Sequence, residues 1–187
     1  IFQELWVKAA LSATVMDSSP MTRNNDTKAI TIRQIEASDN AVVAGIIRLV
    51  MTEFEAVGCG YSINDSEVDD MHGAYTPEGC AFFVVELDGQ VFGCGGLGPL
   101  RGADDDTCEL RKMYFKAELR GLGVGAQLLE LCLEEAHKAG YKRCYLETKD
   151  NMQQARRLYG KFGFEYLDEP MGDTGHTSCG TWMVRKL

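Results

Sequence analysis

The stretch that most restricts the fold is Arg120-Gly-Leu-Gly-Val-Gly125, set directly before the leucine-rich run "AQLLELCLEEAHK". Glycines admit positive φ and a close backbone approach, so successive N–H groups can turn to one side. The helix starting behind them leaves its first N–H groups without partners, and its dipole favours an anion. Together these features make a phosphate seat with Arg120 at its lip; the alternative is a plain structural turn. Two better-known phosphate loops do not fit. No Gly-Lys-Ser/Thr follows, which excludes a Walker A loop. A G-x-G-x-G spacing past the middle of the chain is also not the early G-x-G-x-x-G of a dinucleotide fold.

The elements around the seat follow from hydrophobic periodicity. "AITIRQIE" (29–36) alternates as a first strand, and Val42, Ile46, Val50 and Phe54 recur at helical spacing. Ser38 or Asp39 is positioned to cap that helix and Gly58 to end it. The acidic "GYSINDSEVDDMHGAYTP" reads as a loop with a short helix. "CAFFVVEL" and "QVFGCGGLGPL" flank Asp88-Gly89, a strong hairpin signal. "CELRKMYF" is the next strand; Leu128, Leu129, Cys132, Leu133 and Ala136 then mark the buried stripe of a helix closed by Gly140. "KRCYLET" is a strand. Met152, Ala155, Leu158, Tyr159 and Phe162 line a further helix closed by Gly163, and "FEYLD" and "TWMVRKL" are strands either side of a mobile-looking "GDTGHTSCG". The order β-α-(α)-β-β-β-α-β-α-β-β predicts an α/β (α+β) fold on one mixed, mostly antiparallel sheet of six to seven strands, with about four helices.

The 187 residues suit one domain, expected over 29–187. Residues 1–28 read as an N-terminal extension, a leader or an appended segment, with Met21 a candidate start. "IFQELWVKAALSATVM" is too short and too charged to cross a bilayer. The net charge of −9 argues against a nucleic acid partner and favours a cationic substrate. Seven cysteines without a CxxC pair, several within apolar runs, read as reduced, buried thiols in a cytoplasmic protein. Three histidines not spaced with the cysteines give no metal site.

"CELRKMYFKAELRGLGVGAQLLELCLEEAHKAGYKRCYLET" resembles the central motif of the GNAT acyltransferases, Gln/Arg-x-x-Gly-x-Gly/Ala, met here by Arg120, Gly123 and Gly125. "NMQQARRLYGKFGFEYL" is similar to the family's second hallmark, an Asn-led helix followed by Leu-Tyr-x-Lys-x-Gly-Phe. The likeness extends over roughly 30–187. It implies the GNAT fold and acetyl-CoA, or a related acyl-CoA, as the acyl donor. The pyrophosphate would lie on Gly121, Leu122, Gly123, Val124 and Gly125, and the pantetheine arm beside Met113, Tyr114 and Phe115, with Arg120 and Asn151 as further contacts. The family's fourth strand carries a bulge. The broken alternation of "ELRKMYF" fits either a bulge or a fully buried strand end.

Acyl transfer to an amine requires that the amine lose a proton, that the carbonyl oxygen be stabilised and that the departing thiolate gain a proton. The resemblance assigns the second role to a backbone N–H of Met113 or Tyr114. It assigns the third to Tyr159, which otherwise reads as a core tyrosine. Glu109 is the first choice of base and Glu147 the second, each also readable as a solvated strand residue. His176 is the runner-up, being able to titrate in the useful range. An acyl-Cys179 route is the minor alternative to direct transfer in a ternary complex. Asp65, Glu67, Asp69 and Asp70, with Asp104 to Asp106, are candidates for recognising a cationic amine, and His72, Tyr75 and His176 for lining the substrate cleft. Lys149, Arg156 and Lys161 are candidates for the nucleotide phosphate of CoA. The expected activity is N-acetyl transfer to a primary amine of a small molecule or peptide, by a monomer or homodimer. Its rivals are a non-catalytic CoA-binding module and an O-acyltransferase.

Overall fold

The computed structural model describes residues 29–176 and 178–187; the expected extension 1–28 lies outside them. Seven strands form one sheet in the order β1-β2-β3-β4-β5-β7-β6. They are β1 (Ile30–Gln34), β2 (Ala81–Leu87), β3 (Gln90–Pro99), β4 (Thr107–Phe115), β5 (Arg143–Lys149), β6 (Glu165–Leu167) and β7 (Gly180–Lys186). The described helices are α1 (Asn40–Glu53), the single-turn α2 (Met71–Ala74), α3 (Val124–Lys138) and α4 (Gln153–Lys161), with short 3₁₀ turns between them. Every strand pairing is antiparallel except β4 with β5. The expected element order holds throughout.

Strand alternation splits the apolar residues between two faces of the sheet. Phe82 and Val84 of β2 pack with Val43, Ile46, Ile47 and Val50 of α1. Phe83 and Val85 point the other way, into a cluster with Leu128, Leu129 and Cys132 of α3 and Tyr159 of α4. Cys94, Cys108, Cys132 and Cys144 are buried within these layers, and all seven cysteines are free thiols. No described helix is long and apolar enough to cross a membrane.

Three local expectations are corrected. The first helix does not run to Gly58: it ends at Glu53, and Glu55 enters the left-handed region at φ 56°. Asp39 precedes α1 without capping it, because Arg33 and the Glu36 N–H take its carboxylate. The described residues of the 172–180 segment, expected to be mobile, are tied across the molecule. Asp173 N–H donates to the Arg101 carbonyl, Ser178 N–H to the Gly60 carbonyl, and His176 meets Asp65.

Two irregularities open the sheet where the motifs lie. The parallel β4–β5 pairing runs only from Thr107–Arg143 to Leu110–Leu146, and past it the two strands separate. On the other edge of β4 the register with β3 slips between Cys94 and Gly96, so Lys112 and Met113 together oppose Gly95. This is the bulge rather than a fully buried strand end, and Lys112 sits in it at φ 53°.

Candidate active site

The glycine loop closes one end of a cleft of about 490 Å³ between β4, α3 and α4. Gly121 and Gly123 take φ of 79° and 78°, a region that other L-residues enter only at a cost of about 1–2 kcal/mol. Gly123 is the residue from which α3 starts. The consequence is electrostatic. Among the described residues, the N–H groups of Gly121, Gly123, Val124 and Gly125 donate to no carbonyl; the first to rejoin the helix is that of Ala126, bonded to the Gly123 carbonyl at 3.1 Å. Unpaired donors at the positive end of a fifteen-residue helix form an anion seat. A side chain at Gly125 would press within 3.3 Å of Leu158 Cδ2, so that position also keeps α3 and α4 close.

Arg120 lines the cleft beside the glycines, as expected, but its side chain is also engaged elsewhere. Its guanidinium is bound to the Glu53 carboxylate of α1, its Nε donates to the Phe115 carbonyl at 3.0 Å, and it lies over the Phe54 ring. It therefore braces the loop from the cleft wall. Leu122 is exposed and outside the cleft lining, as is Asn151, whose amide donates to the Phe54 carbonyl at 3.1 Å. Lys149 donates to the Phe54 and Glu55 carbonyls, and Arg156 to the Asp150 carbonyl. Of the three expected phosphate cations, only Lys161 lines the cleft, and it has no ion-pair partner among the described residues.

Met113, Tyr114 and Phe115 line the cleft as expected, and the wall of Met113, Tyr114 and Tyr159 is shared with an inner pocket of about 80 Å³ between the separating ends of β4 and β5. Tyr159 is buried, its hydroxyl 4.0 Å from Met113 Sδ, and burial pushes its phenol well above the usual range. It is thus held protonated at this shared wall.

Glu109 and Glu147 both line the inner pocket. Glu109 is buried, and that burial raises its carboxyl above the ordinary range although Arg111 opposes the shift, its Nε 2.6 Å from Glu109 Oε2. Glu147 Oε1 accepts from Tyr145 Oη and Thr174 Oγ1, each at 2.8 Å, while its Oε2 is buried without a partner. Such an orphaned oxygen costs roughly 1–3 kcal/mol unless a donor reaches it. Cys179 also lines this pocket, and burial, with Glu147 adding to it, pushes its thiol up to about 12.

On the far side of Glu109 lies a mouth of about 140 Å³ where Glu109, Arg111, Lys112 and His176 meet Asp65 and Arg101. The bulge turns Lys112 to the same side as Glu109 and Arg111. Its side chain is only 2% exposed and ion-pairs with Asp65 and, at 3.3 Å, with Glu67. His176 Nε2 lies 3.1 Å from Asp65 Oδ2, and that hydrogen bond raises the imidazole above its usual range. The acidic cluster is therefore committed internally. Asp65 and Glu67 neutralise Lys112, Asp69 pairs with Arg48, and Asp70 accepts from Gly73 N–H and Asn40; Asp104 and Asp106 pair with Arg143. His72 lines neither pocket nor mouth, and Tyr75 is buried against Phe82 with ring centroids 4.8 Å apart. Of the three expected substrate-lining residues, His176 alone is in place.

Sequence reasoning missed Arg101, Arg111 and Lys112. The available signal was the Arg-Lys pair inside an otherwise apolar strand, next to the broken alternation. Among the described residues, no three His, Cys, Asp or Glu side chains converge as metal ligands.

This arrangement agrees with what the chain resembles. Residues 45–164 match the model of the acetyltransferase (GNAT) family. An uncharacterized N-acetyltransferase of Escherichia coli K12, YjgM, is 40% identical over 83% of this chain and 94% of its own length. A GNAT-family acetyltransferase from Staphylococcus aureus Mu50 superposes with a TM-score of 0.73 at 20% identity, over 84% of this chain and 99% of that one. The yncA protein of Salmonella typhimurium, a structure described as holding its cofactor acetyl-CoA, does so with a TM-score of 0.68 at 23% identity, over 84% and 94%. With a family model across most of its length and a relative at this identity, the chain belongs to the GNAT family of acetyltransferases.

Proposed function

We propose that residues 29–187 act as one domain that moves an acetyl group from acetyl-CoA directly to a primary amine of a small molecule. One observation carries this: four unpaired N–H groups at the positive end of α3 open onto a cleft whose inner wall leads to two glutamates. The seat fits a diphosphate, because it offers main-chain donors and no side chain competes for them. Bound there, acetyl-CoA supplies the activated acyl group. Lys161, at the cleft rim, takes the nucleotide phosphate. The bulge at Lys112–Met113 breaks the ladder beside the shared wall, and its N–H at Met113 or Tyr114 polarises the acyl oxygen.

Glu109 accepts the ammonium proton; a raised carboxyl suits a base that works near neutrality. The free Oε2 of Glu147 orients the ammonium beforehand. Tyr159, kept protonated by burial, gives its proton to the departing thiolate. A Cys179 thiol pushed up to about 12 is a poor nucleophile, which supports direct transfer over an acyl-cysteine route.

Two measurements test the proposal. Acetyl-CoA should raise the melting temperature in proportion to the logarithm of its concentration. Tyr159→Phe should keep that shift and its KM for acetyl-CoA while kcat drops roughly 10²-fold or more. Unchanged turnover in the variant would remove Tyr159 from the mechanism.

A further inference from the structure

The far mouth has an unusual charge balance for an enzyme whose surface is acidic. Each of its carboxylates already has a cation: Asp65 has Lys112 and His176, Glu67 has Lys112, and Glu109 has Arg111. Arg101 lines the same mouth, and its guanidinium meets no carboxylate and donates to no other partner among the described residues. Deeper in, one carboxylate oxygen is spare: Glu147 Oε2 is buried and lacks a donor. Glu109, Arg111, Lys112 and His176 line both spaces and so mark the passage between them. The path from solvent to the reacting end thus offers a spare cation first and a spare carboxylate oxygen second. A polyamine would meet the opposite order. The mouth and inner pocket, about 140 and 80 Å³, are also small.

We infer that the acceptor is an amino acid: its carboxylate docks on Arg101 at the far mouth while its amine points inward to Glu147 and Glu109. This rests on the acetyl-transfer reading and adds to it the chemical class of the acceptor. A planar guanidinium receives a carboxylate through two parallel N–H donors, which fixes direction as well as position. His176, whose imidazole the hydrogen bond to Asp65 holds above its usual range, stands beside it. Because Arg101 is on the surface, replacing it leaves both core layers intact.

The test measures thiol release from acetyl-CoA with the L-amino acids, the amide of each, and spermidine. The amide's amine is less basic than the amino acid's, so it gives up its proton more easily, and any preference for the free acid reports on the site. At least one amino acid should exceed its amide by about 10- to 100-fold in kcat/KM. Arg101→Ala should raise KM for that amino acid about 10-fold or more, leave kcat and the acetyl-CoA KM within twofold, and erase the preference over the amide. Arg101→Lys should recover part of the loss. Amides or spermidine consumed as well as the free acids would overturn the carboxylate site while leaving acetyl transfer intact. An Arg101→Ala variant with unchanged KM would do the same. If no amine releases thiol and acetyl-CoA gives no thermal shift, the transfer reading itself fails, and this inference with it.

Discussion

The two ends of the active-site passage are built on different principles. At the proposed donor end the recognising groups are the main-chain N–H donors of Gly121, Gly123, Val124 and Gly125, neighbours in sequence and fixed by backbone conformation. The proposed acceptor end is framed by side chains from three distant segments. Asp65 and His176, 111 positions apart, meet at one carboxylate, and Lys112 reaches it from a strand bulge 47 positions from Asp65. A backbone seat cannot be retuned by ordinary substitution without distorting the chain, whereas a side-chain mouth changes with any one of its members. On the proposed reading the difference separates two modes of recognition: the donor by backbone geometry, the acceptor by a balance of side-chain charges.

The sharpest way to break that comparison is to put a branched side chain where the donor seat needs glycine. Gly123→Val would force a β-branched residue to φ near 78° and project its methyl groups toward the ligand. The expected result is the largest in this set: loss of the acetyl-CoA-induced thermal shift, and a fall in kcat/KM of at least about 100-fold, equivalent to roughly 3 kcal/mol. Titration of acetyl-CoA by thermal shift, alongside circular dichroism to confirm folding, measures both. Retained acetyl-CoA binding would mean that the seat is not built from these N–H groups.

The same contrast explains what the sequence could disclose. The glycine loop and the helix behind it were legible because their causes are adjacent: glycines, then an apolar stripe of Leu128, Leu129, Cys132 and Ala136 that announces itself by spacing. The element order was legible for the same reason. The acceptor mouth was not. Asp65 and Glu67 read as free recognition groups because nothing near them in sequence shows that Lys112 is buried against them. That Arg120, expected at the lip of the seat, is also ion-paired was not readable, because its partner, Glu53, lies 67 positions away on another helix. Even the end of α1 was misplaced: Gly58 is the better left-handed residue by type, yet Glu55 takes that conformation three positions earlier, where the Ala56 N–H bonds back to the Met51 carbonyl. For Asp65, Glu67 and Arg120 a distant contact, and for the end of α1 a local backbone bond, decided what propensity left open.

A second, intermediate effect sharpens the acceptor end. Glu109 must be ionised to accept a proton, so activity should fall as pH drops through its carboxyl, which burial holds above the ordinary Glu range near 4.3. The sign follows from the chemistry: the active form is the deprotonated one, present above that raised pKa and lost below it. Glu109→Gln should lower kcat roughly 10²-fold and remove this acid limb from the pH profile, with acetyl-CoA binding unchanged. A variant that keeps the limb would transfer the base role to another group, Glu147 being next in line.

The smallest effect tests whether the donor seat is main chain alone. Arg120 is held by Glu53, whose carboxyl the guanidinium keeps below its usual range. Both side chains are partly exposed, 27% for Arg120 and 47% for Glu53. An ion pair so placed is worth about 0–1 kcal/mol, so Glu53→Gln should shift the melting temperature by only a degree or two at most. If the seat is the backbone, freeing Arg120 should alter acetyl-CoA affinity by less than about threefold, because none of the N–H donors depends on where the guanidinium points. A loss of tenfold or more would show that Arg120, through its Nε bond to the Phe115 carbonyl, sets the loop conformation on which those donors rely. A gain of that size would show the opposite: released from Glu53, the guanidinium would swing to the phosphate after all, and Glu53 would be holding donor affinity down. The seat and the mouth would then share a design, each with a cation whose availability a neighbouring carboxylate controls.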